Sequence, residues 1–137
     1  MARVKNILFI MCDQLRWDYL GAAGHPALAT PNIDRLAARG VLFERAFVQA
    51  TVCGPSGMCF YTGRYAASHG STMNGVPLAV SERTLGDYLA PLGAPAALIG
   101  KSHMTPDRDG MARLGLRPGG AAWQRIAQCG FEAVERD

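Results

Sequence analysis

Cys53-Gly54-Pro55-Ser56-Gly57-Met58-Cys59-Phe60-Tyr61-Thr62-Gly63-Arg64 is the stretch on which the reading of this sequence turns. Gly54-Pro55 makes a turn, the residues from Ser56 onward read as a short helix, and Gly63 closes it. Cys53 is therefore expected at or just before a helix N-terminus, where backbone N–H groups lack helical acceptors and favour negative charge. A cysteine so placed has its thiolate favoured, and an anion bound beside it meets unused donors. The competing reading is a small core residue, because cysteine is among the residue types most often buried.

Upstream of this stretch, 6–12 is a continuous apolar run bounded by charge, which reads as a strand buried on both faces, as in parallel sheets. Asp13 stands at its C-terminal end, where ligands gather in open α/β sheets; capping the following turn is the alternative. Gly24-His25-Pro26 reads as a loop with a structural histidine. Thr30-Pro31-Asn32-Ile33-Asp34 is a helix start with a capping threonine and proline in the first turn; Gly40 is its stop, and the helix is expected to cover the sheet. The segment 41–48 partly alternates and reads as a second extended run leading to Cys53.

Downstream, 65–78 is rich in Ser, Gly and Asn and reads as a long loop, a form that often carries function. His69 is expected to hold the end of the helix that starts at Cys53. Asn74, before Gly75, reads from local chemistry as a turn residue. Ser81 to Leu92 is a packing helix with Ser81 as its cap and Leu85, Tyr88, Leu89 and Leu92 at helical spacing. Ala94 to Gly100 is a short strand, and Lys101-Ser102-His103 repeats the pattern of polar groups at a strand's end. Alternate residues of an extended segment share a face, so Lys101 and His103 are expected to aim at one ligand. From Thr105 the signals weaken, with one further helix over 121–128 ended by Gly130.

Length and composition bound the function. The 137 residues are 49% hydrophobic and 18% charged, ordinary for one globular domain. The net charge of +3 is small and its basic residues are scattered, so no nucleic-acid partner is expected. Cys12, Cys53, Cys59 and Cys129 lack paired metal-ligand spacing and are expected as reduced thiols. The run 7–12 is short for a secretory leader, and no stretch approaches the roughly 20 apolar residues of a membrane span. Those observations set the cytoplasm as the expected location.

These segments together resemble the sulfatase branch of the alkaline phosphatase superfamily, with its phosphonate monoester hydrolase relatives. Cys53, Pro55, Ser56, Thr62 and Gly63 stand at the spacing of the signature Cys-x-Pro-Ser-Arg followed by Thr-Gly. Thr30-Pro31-Asn32-Ile33-Asp34-Arg35-Leu36, Gly40-x-x-Phe43 and Gly100-Lys101-x-His103 extend the likeness over nearly the whole chain. The resemblance implies an α/β fold, the N-terminal part of an alkaline-phosphatase-like three-layer sandwich whose mostly parallel sheet is flanked by helices. It also implies that residues 1–137 are an N-terminal portion, because the family's remaining metal ligands lie far downstream. The sheet's open edge would then be covered by the remainder or by another chain, with a homo-oligomer left open.

What the resemblance implies for chemistry is specific. Cys53 is oxidised to formylglycine by a formylglycine-generating enzyme, and Asp13, Gln14 and the modified Cys53 bind a divalent cation, Ca2+ or alternatively Mn2+. One hydroxyl of the hydrated aldehyde attacks sulfur or phosphorus and displaces an alcohol; the other then loses its proton and expels the anion. Lys101 and His103 contact the sulfate, the histidine also serving the leaving group, and Asn74 contacts substrate as in the phosphonate hydrolases. The substrate is a small sulfate ester, with a phosphonate or phosphate ester favoured instead by Gln14 and Asn74, and a non-catalytic remnant as the third reading. Gly57 stands where the family has arginine. Little or no turnover is therefore expected of these 137 residues, and Gly57→Arg alone is not expected to restore it.

Overall fold

A computed structural model describes residues 4–104 and 107–135. Its helices are α1 (Pro31–Arg39), α2 (Cys53–Thr62), α3 (Ala66–His69), α4 (Leu85–Leu89), α5 (Arg108–Arg113) and α6 (Ala121–Ala127), with 3₁₀ turns at Gly21–Ala23 and Ala90–Leu92. The strands are β1 (Ala97–Ile99) and β2 (Glu132–Glu135). The weakening of signals begins at Thr105, outside the described residues. The chain divides between Phe47 and Val48 into two units.

In the first unit the expected strand over 6–12 does not form, and the run is irregular and exposed, with Ile7 at 87% and Leu8 at 85%. A run that is apolar on both faces needs neighbours for its backbone groups and a layer on each side, and no described residue of this unit supplies them. The second extended run, 41–48, likewise contains no strand and turns at Glu44-Arg45, leaving Phe43 and Phe47 exposed. Helix α1 begins and ends where its proline and glycine indicate, with Pro31 in its first turn and Gly40 closing it through an N–H to Ala37 O. Thr30 acts differently from a simple cap. Its Oγ1 accepts from Gly21 N at 2.8 Å and donates to Asp34 Oδ1 at 2.7 Å, while Asp34 Oδ1 also accepts from Ala22 N at 2.8 Å. Side-chain bonds thus tie α1 to the 3₁₀ turn. No residue of α1 is buried, and no strand of its own unit lies beneath it among the described residues.

The second unit holds the core. Met58 and Tyr61 of α2 pack with Leu78 and Cys129, and Leu98, Met104 and Phe131 close over them. Tyr61 meets Phe131 edge to face at 6.0 Å, a favoured aromatic arrangement. Strands β1 and β2 pair in parallel, Ala97 opposite Glu132, with the register shifting between Leu98 and Ile99. Two strands are all the sheet among the described residues, short of the mostly parallel sheet of a three-layer sandwich.

Helix α4 starts later than expected. Its cap is Thr84, not Ser81, because Asp87 three residues on can accept from both Thr84 N and Thr84 Oγ1 at 2.9 Å. Gly86 then donates to Cys129 O at 3.2 Å, and a Cβ at Gly86 would overlap the Gly130 carbonyl. That backbone contact seats α4 against the turn entering β2. No helix of the described residues is long and apolar enough to cross a membrane.

Candidate active site

Cys53 is the first residue of α2, following an extended Val52, and the first helical bond runs from Ser56 N to Val52 O at 2.9 Å. Pro55 falls in the first turn, where a missing N–H costs no helical bond. At the other end Gly63, with φ 67°, takes the left-handed conformation and donates to Cys59 O. The helix is therefore the one its punctuation indicates, beginning at Cys53 instead of Ser56. Most of its residues are buried, whereas Cys53 keeps partial exposure.

Asn74 lies 21 residues on and meets Cys53 directly. Its Oδ1 accepts from Gly54 N at 2.8 Å, and its Nδ2 lies 3.4 Å from Cys53 Sγ. The turn holding it is closed by Val76 N to Met73 O at 3.1 Å and braced by Ser71 Oγ donating to Val76 O at 2.7 Å; Gly75 supplies φ 83°. Turn residue and site residue are thus the same asparagine. Gly54 is the member of this contact that the sequence reading passed over. Its only signal was glycine directly after the cysteine.

His69 has the structural role expected of it. Its Nδ1 accepts from Ser71 N at 3.2 Å, which leaves Nε2 to carry the proton toward Cys59 Sγ at 3.3 Å. Burial holds the ring's pKa below its ordinary value, with Arg64 adding to that and Glu82 opposing it. The pair ties the end of α3 to the second half of α2. Among the four thiols, Cys129 is fully buried and burial pushes it up to about 12; Cys59 is buried beside His69; Cys12 is exposed.

The segment after β1 leans on α2. Ser102 Oγ donates to Ala127 O at 2.7 Å, and Ser102 O sits 3.6 Å from where a Cβ on Gly57 would stand. Gly57 therefore faces the loop that carries Lys101 and His103. Lys101 is exposed, and His103 is half-buried with Nδ1 buried and unpartnered among the described residues. His103 has φ 56°, so the alternation of an extended strand does not set the two side chains' directions.

Cys53, Asn74, Lys101 and His103 all lie in the second unit, while Asp13 and Gln14 lie exposed in the first. Gln14 also has a left-handed φ, 56°. Among the described residues no group of three or more His, Cys, Asp or Glu is placed to hold a metal. One carboxylate and one amide fall short of the roughly six to eight oxygens that calcium takes. Among the described residues, the donors of the first unit do not by themselves complete a cation site.

The sulfatase profile matches residues 5–128. The chain belongs to the sulfatase family. It is 37% identical over 108 residues to the multifunctional alkaline phosphatase superfamily protein PehA of Trinickia caryophylli, covering 75% of this chain and 21% of that protein. Human arylsulfatase A is 37% identical over 112 residues, covering 76% and 22%. The backbone superposes on the phosphonate monoester hydrolase of Agrobacterium radiobacter with a TM-score of 0.74 at 33% identity, covering 90% of this chain and 24% of that one. The Silicibacter pomeroyi phosphonate monoester hydrolase gives 0.76 at 26% identity, covering 96% and 25%. The fold is thus alkaline-phosphatase-like, and the chain spans about a fifth to a quarter of the length of these sulfatase-family relatives.

Proposed function

We propose that this chain is the N-terminal portion of a cytoplasmic sulfuric ester hydrolase, with Cys53 as the position that becomes the nucleophile. The contact between Cys53 Sγ and Asn74, at the exposed start of an otherwise buried helix, carries this reading. In the complete domain, 6–12 would be an inner strand of a parallel sheet in a three-layer sandwich, which accounts for an apolar run with no cover of its own here.

Formylglycine at Cys53 supplies a nucleophile that regenerates itself, and its formation requires a formylglycine-generating enzyme. This chain's residues orient the reacting position and the anion. Asn74 holds the side chain of Cys53, Lys101 offers a charge to the anion's oxygens, and His103 is the group to serve the leaving alcohol. Asp13 and Gln14 would be two donors of a calcium or manganese site completed elsewhere.

A phosphonate monoester or phosphodiester substrate is the second reading, favoured by Gln14, by Asn74 and by the likeness to two phosphonate monoester hydrolases. Mass spectrometry of the Cys53 peptide, after expression with the modifying enzyme, tests the shared premise. An aldehyde supports a hydrolase; an intact thiol refutes the premise and leaves a sulfatase-fold remnant. With a full-length version, cleavage of an aryl sulfate over phenylphosphonate supports the first reading, and the reverse preference the second.

A further inference from the structure

The side-chain amide of Asn74 has one orientation that suits its neighbours. Gly54 N–H donates to Oδ1 at 2.8 Å, and an N–H must meet an oxygen, not an NH2 group. Amide planarity then turns Nδ2 toward Cys53 Sγ at 3.4 Å, while a thiol proton on Sγ has Oδ1 at 3.7 Å as its acceptor. The N–H of Gly54 is one of the first-turn donors with no acceptor inside the helix. The residue preceding α2, Val52, makes no capping bond, and its side chain has no acceptor to offer. Asn74 thus fills the capping role from a distant loop, and its approach needs the hydrogen at Gly54. A Cβ there would stand 2.5 Å from Oδ1.

We infer that Gly54 and Asn74 form one coupled device that positions the Cys53 side chain, with Gly54 admitting the amide and the amide donating to the atom on Cys53 Cβ. This deepens the reading of Cys53 as the reactive position and rests on it, but it is tested on the unmodified thiol. Its failure is therefore separate from a failure to find the aldehyde. Asn74 is a positioning residue in this account: Oδ1 caps the helix, and Nδ2 fixes the rotamer of the Cys53 side chain.

The test is iodoacetamide alkylation of the 137-residue protein near neutral pH, with peptide mass spectrometry separating Cys53 from exposed Cys12. Slow alkylation of buried Cys129 reports that each variant remains folded. Asn74→Ala and Gly54→Ala are each expected to slow Cys53 alkylation near neutral pH by about three- to fourfold, less than the roughly tenfold worth of one charge-assisted hydrogen bond because a thiolate freed of its donor is also the stronger nucleophile. The double variant is expected to be no slower than either single one, because both remove the same contact. Asn74→Asp keeps the acceptor for Gly54 N but replaces the donor with a charged oxygen; it is expected to slow Cys53 at least as much as Asn74→Ala. Rates within about twofold of the parent in both single variants, multiplying effects in the double variant, or faster reaction in Asn74→Asp would each overturn the inference. If the alanine variants expose Cys129, the Asn74→Asp rate alone decides.

Discussion

Gly57 is the residue at which this chain departs from the sulfatase signature, and its surroundings say what the departure does physically. Among the described residues a Cβ there meets only Ser102 O at 3.6 Å and the Tyr61 ring at 3.9 Å, ordinary contacts. Glycine inside a helix carries a larger entropy loss on folding than alanine, and here no steric need offsets it. Gly57→Ala is therefore expected to raise stability by about 0.5–1 kcal/mol, read as a higher urea midpoint with an unchanged slope. Gly86→Ala, with the backbone of Gly130 in the way, should lower the midpoint. His69 gives a second test at this scale. Burial depresses its folded pKa, so the unfolded chain takes up the proton first as pH falls. Stability from this ring is full above the unfolded value of 6.5 and is lost as pH drops below it. A urea midpoint that declines below that pH, with a shallower decline in His69→Gln, is the expected result. Cys53 was legible because a Gly-Pro turn and a closing glycine bracket it. Gly54 was not, because its role exists only once Asn74 has arrived from 20 residues away.

Elements with strong local punctuation are legible in the sequence, and those without it are not. Helices α1 and α2 begin at proline-bearing turns and end at glycines, signals contained within a few residues. Helix α4 starts after Thr84 and not after the expected Ser81, because Thr84 has the reciprocal bonds with Asp87. Thr84→Ala should cost about 1 kcal/mol, measurable by thermal melting with loss of helical circular dichroism. Because Asp87 also pairs with Arg125 at the end of α6, the loss should loosen that helix as well, seen as faster amide exchange at 124–128. Helix α5 lay in a stretch where Gly, Pro and Arg obscured the periodicity. Strand β2 was invisible because Glu-Ala-Val-Glu has too little apolar content to announce itself, and only its pairing with β1 makes it a strand.

At the scale of the whole molecule, the largest divergence from the sequence reading is the sheet, and the cause is the same on both sides of it. A continuous apolar run such as 6–12 signals a strand because in a complete domain it has partners, and the signal is written in the run itself. The partners are not. The backbone nevertheless follows phosphonate monoester hydrolases about four times its length, with TM-scores of 0.74 and 0.76, while no described residue of the first unit is buried and the second unit has a core built on α2. Protection of backbone amides depends on hydrogen bonds that solvent cannot reach. In the 137-residue protein, amides of 6–12 and 41–48 are therefore expected to exchange within about tenfold of unstructured-peptide rates, while those of Met58, Tyr61 and Leu98 exchange far more slowly. Supplying the remaining three-quarters of a sulfatase domain in trans should slow exchange in 6–12 without altering α2. Strong protection of 6–12 in the chain alone would mean that the run has found strand partners within these residues, and the proposed dependence on a larger domain would then fall.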